Sequence, residues 1–388
     1  MLKLRLKPQV LPFLPAVEEA APSLSKDERY YMASQWRLMW WRFRRHRVAV
    51  VSLAVIGALY LTALFAPFLA PYLVDQRKAQ FTQAPPQRLH FRDEAGNFSL
   101  RPFVYGMTRQ IDPVTLRRTY AEDRTKKYPL QFFVQGEAHR LLGFIPSRVH
   151  LFGVAAEGTV FLLGTDDLGR DLFSRMLYGS QLSLSIGLVG VALSLLIGIT
   201  LGGISGYYGG TVDLVIQRVI EMLRSFPSIP LWLALSAALP PHWSILKVYF
   251  GITVILSLLG WTDVARVVRG KILSLREDDF TMAARLAGVR EHSIIARHLL
   301  PAFMSQLIVI VSLAIPGMIL AETALSFLGL GLRPPVVSWG VLLQQAQNVR
   351  TVALQPWLLT PVGLVIVTVL AFNFLGDGLR DAADPYSV

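Results

Sequence analysis

Long, uncharged, apolar runs alternate with polar stretches along this chain of 388 residues. An α-helix of roughly 20 apolar residues crosses a bilayer core about 30 Å thick. The pattern therefore predicts a membrane protein with six crossings, at residues 48–74, 176–212, 225–239, 248–262, 299–321 and 351–376. The third and fourth runs are short and meet at Pro240 and Pro241, so we interpret them as a helical hairpin that continues into charged sequence.

The segment that precedes the first run has a different pattern. In residues 1–35 the apolar stretch is short and broken by prolines, which predicts a flexible cytoplasmic tail. In 36–47, one helical face carries Trp36, Met39, Trp40 and Phe43, and the basic residues are Arg37, Arg42, Arg44, Arg45 and Arg47. This predicts an interfacial amphipathic helix with membrane lipid as its partner. The alternative is a basic flank with incidental aromatic residues.

Composition agrees with the membrane class. Hydrophobic residues make up 53% of the chain and charged residues 16%. A net charge of +12 would suggest nucleic acid as the partner of a soluble protein, but in a membrane protein it mainly reports topology, so we expect no nucleic-acid partner. The absence of cysteine excludes disulfides, thiolate metal sites and thiol catalysis.

Basic residues near the ends of the runs predict the orientation, because short cytoplasmic loops are rich in Lys and Arg. They precede the first run and fill the loop between the fourth and fifth, at Arg266, Arg269, Lys271, Arg276, Arg285, Arg290 and Arg297. Both termini are therefore expected in the cytoplasm. Residues 75–175 would lie outside as a small folded insertion, to which the pattern assigns no fold, and residues 176–388 would form the core.

Small residues recur at every fourth position in the second run. They are Gly190, Ser194, Gly198, Gly202 and Gly206, and the series continues to Gly210. This spacing lets two helix backbones approach closely within a membrane. We predict that this face packs against a neighbouring helix, in this chain or in a second one.

Several ionisable residues stand beside the apolar runs. Arg218, Glu221 and Arg224 share one helical side, and mutual pairing near the cytoplasmic interface is the favoured interpretation. Glu322 follows a long uncharged run, and we expect its carboxylate to accept a hydrogen bond from the turn at 326–329 rather than to act as a gate or substrate contact.

Asp166, Asp167 and Asp171 form an acidic group that a Mg²⁺-dependent membrane lipid transferase could use. No second acidic cluster stands on the same side, so a role at a helix start is favoured. The chain also lacks the phosphate-binding loop, zinc-protease and serine-elbow motifs. We therefore expect no catalytic residue, no metal and no cofactor of its own.

The loop between the fourth and fifth runs contains a helix-turn-helix pattern. Ser274 and Glu277 have the spacing of a capping box. A helix is predicted over 280–287, Gly288 would end it in the left-handed conformation, and a second helix would run from 293 to 301. Ala283, Ala284 and Ala287 would form a small-residue surface that suits a partner's groove. An ordinary amphipathic connector is the alternative.

The loop resembles the cytoplasmic loop of permeases from ATP-binding cassette (ABC) importers, which pairs two alanines and a glycine with a later Leu-Pro. Here these are Ala283, Ala284, Gly288, Leu300 and Pro301. Further segments resemble the second permease subunit of the oligopeptide and dipeptide branch, at residues 163–175, 206–210, 225–228, 322–331 and 375–385. Met282 stands where this family often has Glu, and the long insertion is unusual for it.

This resemblance implies an all-α membrane protein with six transmembrane helices of the type I importer permease fold and an extracytoplasmic insertion between helices 1 and 2. It implies a peptide permease without enzymatic activity, in the cytoplasmic (inner) membrane. The coupling loop, 263–300 and its Leu-Pro end, would dock through Phe280, Ala283, Ala284, Ala287, Gly288, Leu300 and Pro301. Implied partners are a homologous permease, two cytosolic ATPases that bind the ATP and an extracytoplasmic peptide-binding protein. A nickel-chelate or opine permease and a stand-alone secondary transporter remain alternatives.

Overall fold

The computed structural model describes residues 35–111, 113–114, 118–240 and 242–384. The predicted tail lies outside the described residues except for Gln35, which begins the first helix. The helices in chain order are α1 Gln35–Arg45, α2 Arg47–Leu64, α3 Ala66–Leu69, α4 Leu172–Tyr208, α5 Gly210–Ser225, α6 Ser228–Ala237, α7 Ile245–Leu275, α8 Asp279–Leu286, α9 Glu291–Ser293, α10 Leu300–Ala302, α11 Met304–Phe327, α12 Trp339–Gln344, α13 Val349–Leu354 and α14 Thr360–Ala383. A π-helical turn, Ile294–Leu299, joins α9 to α10.

Five helical segments are long and apolar enough to cross a membrane by length and composition. They are α2, α4, α7, α11 and α14, the last together with the 3-10 turn Pro356–Leu359 that precedes it. The run predicted at 225–239 corresponds to α6, which has only 10 residues and is too short to span by itself. α5 precedes α6, and the chain becomes extended between them at Phe226 and Pro227.

The ends of the long helices differ from the predicted runs. The first run was predicted to 74, but α2 stops at Leu64 and the short α3 ends at Leu69, where Ala70 is extended and Pro71 follows. α4 begins before the predicted start at 176 and ends at Tyr208, because Gly209 takes a positive φ of 64°. α7 and α14 continue beyond the predicted runs through charged residues, because a run defined as uncharged and apolar stops at the first charged residue.

α4 and α7 pack along the small-residue face of α4. A Cβ added at Gly202 would lie 2.5 Å from the carbonyl oxygen of Ala265, and one at Gly206 would lie 2.8 Å from that of Arg269. A Cβ at Gly198 would lie 2.6 Å from the Val264 side chain. These distances leave no room for a side chain, so the two backbones approach as closely as glycine permits.

The other end of the small-residue series lies between two helices. Ser194 Oγ donates to the Ser257 carbonyl oxygen of α7 at 3.4 Å, while Ser257 Oγ donates to the Gly190 carbonyl oxygen at 2.9 Å. A Cβ at Gly190 would also lie 3.0 Å from Met318 of α11. The neighbours of this face are therefore helices of the same chain.

Helix α1 differs from the predicted interfacial helix in its packing. Met39 and Phe43 are buried in the same apolar cluster as Ala382 of α14, so part of the predicted lipid face contacts protein. Trp36, Trp40 and Trp41 remain exposed. The helix rests on the end of α14 through two apolar residues and turns its tryptophans outward.

Five β-strands lie between α3 and α4, so the prediction of an all-α chain is wrong for this segment. β1 His90–Arg92, β2 Phe98–Ile111 and β3 Arg118–Pro129 form one antiparallel sheet, and β4 Gln131–Leu141 pairs with β5 Ile145–Gly153. The strands are mostly exposed, and their apolar residues alternate with polar and charged ones in short groups, so a search for long apolar runs does not find them.

Hydrogen bonds attach this β segment to the helices. His150 contacts the carbonyl oxygen of Ala70 at 2.6 Å, and the Tyr72 amide donates to Ser174 Oγ at 3.2 Å. The indole nitrogen of Trp357 donates to the Thr165 carbonyl oxygen at 3.0 Å. The segment is thereby held against the start of α4 and the turn before α14.

We predict that Gly202→Ala lowers the free energy of unfolding by about 1–3 kcal/mol, because the new methyl group would overlap the α7 backbone. Thermal unfolding of the purified protein in detergent measures the change. Gly270→Ala is the matched control, since a Cβ at Gly270 meets no atom within 4 Å. Equal stability of the two variants would contradict the close packing of α4 and α7.

Candidate functional site

The loop between α7 and α11 forms a compact unit of short helices. α8 is followed by Gly288, whose φ of +75° confirms the predicted left-handed residue, and then by α9 and the π-helical turn. Ala284 of α8 and Ile294 of the turn are buried together with Ile272 of α7. The unit is therefore seated on the end of α7 by a small apolar core.

The outward side of α8 is apolar. Leu286 is 87% exposed, Met282 45% and Phe280 42%, and Ala283 and Ala287 are exposed beside them. Ala284 differs from the other two alanines, because it is buried against the loop core instead of lying on the exposed side of α8. Exposed leucine, methionine and phenylalanine on one short helix form an apolar surface suited to contact with another protein.

The remaining loop residues have separate positions. Leu300 packs beside the loop core, Pro301 is exposed, and Gly288 is exposed at the turn. The predicted capping box is wrong, because Ser274 lies within α7, which continues to Leu275. Asp278 is the residue that precedes α8, and its side chain makes no capping hydrogen bond.

Ion pairs connect α5 with α7 beside this loop. Asp213 accepts two hydrogen bonds from Arg269 at 2.5 Å, and Arg224 pairs with Asp263. Arg218 donates to Glu221 at 2.8 Å, which confirms mutual pairing for two of the three predicted residues. Since most of these side chains are partly or largely exposed, they act as surface pairs of modest strength.

The acidic group at the start of α4 serves structure. Asp171 accepts hydrogen bonds from the Ser174 amide at 2.7 Å and from its hydroxyl at 2.6 Å, which confirms the predicted N-cap. Asp166 is fully buried and pairs with Arg170 at 2.7 Å and with Arg175 at 2.9 Å. Asp167 is exposed and accepts from Gln83.

Asp166 therefore pairs with two arginines, and Asp171 accepts hydrogen bonds from Ser174. Among the residues that the structure describes, there is no group of three or more His, Cys, Asp or Glu side chains that could hold a metal ion. The arrangement of the acidic residues is therefore that of a helix start fastened by a buried ion pair.

Glu322 of α11 is also buried. It accepts hydrogen bonds from Ser326 Oγ at 2.7 Å, as predicted, and from Ser183 Oγ of α4 at 3.2 Å. Ser183 Oγ in turn accepts the amide of Trp339 at 3.1 Å. The carboxyl group thus connects α4, α11 and the start of α12.

Comparisons with known proteins agree with this architecture. The chain matches the profile of the binding-protein-dependent transport system inner membrane component over residues 198–386. Residues 34–86 match the N-terminal TM domain of oligopeptide transport permease C. The chain is 32% identical over 360 residues to the dipeptide transport system permease protein DppC of Alkalihalophilus pseudofirmus, with 92% of each chain covered.

Other relatives are similar over a shorter region. The chain is 41% identical over 228 residues to the oligopeptide transport system permease protein OppC of Escherichia coli, which covers 57% of this chain and 71% of that protein. Among solved structures, an inward-facing MetNI methionine ABC transporter chain has 17% identity and a TM-score of 0.41, covering 54% of this chain and 97% of that one.

The apolar helices and these matches define a multi-pass membrane permease. More narrowly, the chain belongs to the family of oligopeptide and dipeptide ABC transporter permeases, which confirms the resemblance inferred from the loop and the flanking motifs.

Sequence reasoning missed two parts of the site. The exposed Leu286 lies between the quoted alanines, and only the helix geometry places it on the outer face of α8. Tyr207, at the end of α4, contacts Arg285 of α8. Tyr207 belongs to the segment 206–210, which carries part of the family resemblance, but nothing in the spacing of that segment predicts a contact with a loop so distant along the chain.

We predict that Asp166→Asn lowers the free energy of unfolding by about 3–5 kcal/mol, because two buried guanidinium groups would lose their carboxylate. Chemical or thermal unfolding measures the loss. Asp167→Asn is the matched control and should change stability by less than about 0.5 kcal/mol, since Asp167 is exposed. Similar stability of both variants would show that the buried pair is dispensable.

A pH dependence is expected from Asp171. Burial raises the pKa of Asp171 from 3.8 to about 7, and the hydrogen bonds from Ser174 oppose this rise. Asp171 loses its proton near its ordinary pKa of 3.8 in the unfolded chain and near pH 7 in the folded chain. Its contribution to the free energy of unfolding therefore falls as the pH rises from the first value to the second, and it is constant at higher pH. Asp171→Asn should remove this contribution, so the stability difference between variant and wild type should change across that range. A difference that is constant with pH would contradict it.

Proposed function

We propose that this chain is one of two homologous permease subunits of an ABC importer that carries peptides across the cytoplasmic (inner) membrane. Two cytosolic ATPase subunits would bind and hydrolyse ATP, so the chain would be a transport subunit without enzymatic activity or cofactor. The proposal rests above all on an exposed apolar helix, α8, in a loop of a chain that belongs to the ABC permease family. Peptide is the proposed substrate because the relatives named above are dipeptide and oligopeptide permeases.

The proposed topology has six crossings. α2, α4, α7, α11 and α14 supply five of them. α5 and α6 together would form the other, since their 16 and 10 residues are nearly continuous and exceed the roughly 20 residues that a crossing needs. Both termini and the loop with α8 then lie in the cytoplasm, which agrees with the basic residues of that loop.

The β segment between α3 and α4 would then lie outside the cytoplasm. It stands at the opposite end of α4 from the α8 loop, and α4 has 37 residues, or about 55 Å of helix. We propose that an extracytoplasmic peptide-binding protein approaches this side. The exposed tryptophans of α1 would contact membrane lipid on the cytoplasmic side.

We infer that α8 docks onto an ATPase subunit through Phe280, Ala283, Ala287 and Gly288, with Met282 and Leu286 beside them. Ala284 and Leu300 would support the helix from below, and Pro301 would mark the start of the fifth crossing. Closure of the ATPases around ATP would then move the loop and switch access between the two sides of the membrane.

A permease for a nickel chelate or an opine is not favoured, because the relatives named above are dipeptide and oligopeptide permeases. The lipid transferase is not favoured, because Asp166 and Asp171 are engaged by arginine and serine. A stand-alone secondary transporter would leave the apolar surface of α8 without a partner.

The proposal predicts that Leu286→Glu reduces peptide uptake by about tenfold or more, because a charge would replace a large apolar side chain within the proposed ATPase contact. Uptake of a labelled peptide and retention of the ATPase subunits are measured in cells that carry the complete transporter. Fewer ATPase subunits should be retained with the variant permease, together with the reduced uptake.

Leu100→Glu is the matched control for this experiment. Leu100 of β2 is 88% exposed and Leu286 is 87% exposed, so the two changes place the same charge at equally accessible leucines at distant positions. The control should retain its ATPases. Uptake and ATPase retention at control levels with Leu286→Glu would refute docking through α8.

A further inference from the structure

Two neighbouring tyrosines end the longest helix that the structure describes, next to the α8 loop. Tyr207 and Tyr208 are the last residues of α4, and their rings meet edge to face at a centroid distance of 5.4 Å. Each ring extends to a different short helix of the loop. The docking surface of α8 is thus connected to α4 by side chains as well as to α7 by the main chain.

Tyr207 contacts α8. Its side chain is buried in the loop core, next to Ala284 and Ile294. The guanidinium group of Arg285 lies over its ring, 5.1 Å from the centroid, and Arg285 Nε donates to the hydroxyl oxygen at 3.3 Å. A buried ring beneath a cation holds the orientation of α8 relative to the end of α4.

Tyr208 contacts α9. Its hydroxyl donates to Glu291 Oε2 at 2.8 Å, and Glu291 is the first residue of that helix. Hydrogen bonds to a charged acceptor are shorter and stronger than those between neutral groups. The two tyrosines therefore hold α8 and α9 at separate points, which resists rotation of the loop about a single contact.

The chain changes direction immediately after these tyrosines. Gly209 and Gly210 both have positive φ, at 64° and 57°, and α5 begins there. Before them, Gly202 and Gly206 lie against the backbone of α7. A displacement of Tyr207 and Tyr208 is therefore passed into the closely packed α4 and α7, while the glycine pair lets α5 take another direction.

We propose that Tyr207 and Tyr208 are positioning residues that transmit movement of the ATPase-bound loop to α4. Without them, α8 is still seated on the end of α7 by the small apolar core around Ala284 and is joined by the short connection at Arg276–Asp278, but its link to the end of α4 is weakened. Rotation of α8 would then be passed to α7 and lost before it reaches α4. This inference deepens the proposed function and rests on it, because it requires that α8 docks onto an ATPase.

The experiment uses the complete transporter in proteoliposomes with its ATPases, its binding protein and a labelled peptide. The quantity measured is peptide imported per ATP hydrolysed, alongside the ATPases retained per permease. Tyr208→Phe removes only the hydroxyl, Glu291→Ala removes its acceptor, and Glu291→Gln keeps an oxygen acceptor. Tyr208 is 53% exposed, so these changes leave the loop core intact.

Tyr208→Phe and Glu291→Ala should each lower the ratio by about threefold, and the double variant should fall no further, because both remove one contact. Glu291→Gln should restore most of the ratio. At the buried position, Tyr207→Phe should keep the ratio and Tyr207→Leu should lower it, since the ring carries the contact with Arg285.

A purely structural role would reduce the amount of assembled transporter and leave the ratio of the remainder unchanged. An unchanged ratio in both single variants, or additive losses in the double variant, would overturn the inference. If the wild-type chain itself retained no ATPase or imported no peptide upon ATP hydrolysis, the proposed function would fail instead, which separates the two outcomes.

Discussion

The close approach of α4 and α7 is the constraint on which the rest of the molecule depends. Glycine and serine at every fourth position of α4 remove the side chains that would hold two helices apart, and the α7 backbone occupies that space. In a membrane, apolar burial does not drive helices together, so close packing and interhelical hydrogen bonds supply much of the attraction. One end of this pair carries the β segment, and the other carries the α8 loop.

Sequence reasoning identified the membrane class, most of the apolar helices and the loop with its left-handed glycine. These features depend on long apolar runs and on residues with one strong conformational preference. It placed Ser274 in a capping box, although α7 continues through that residue. The local capping signal does not end the helix here, because Ile272 packs in the loop core as part of α7 and the helix continues past Ser274 to Leu275.

The β segment and the third apolar run show a different limit. The strands of the β segment bury few residues, so their alternation carries little hydrophobic signal. The third apolar run covers α6 but not α5, because α5 carries charged residues, such as the surface pair of Arg218 with Glu221. Phe226 and Pro227 also separate the two helices. Contacts between distant parts of the chain, such as Tyr207 with Arg285, leave no periodic trace.

The contact of α1 and α2 with α14 bears on how the membrane helices assemble during synthesis. α1 and α2 pack against α14, and Gly378 of α14 closely approaches Ala49 of α2. α2 is therefore synthesised long before α14 and stays in the bilayer without this partner until α14 is made. A chain interrupted before α14 would expose the small-residue face at Ala49 to lipid, and membrane quality control could distinguish such an unfinished product from a completed one.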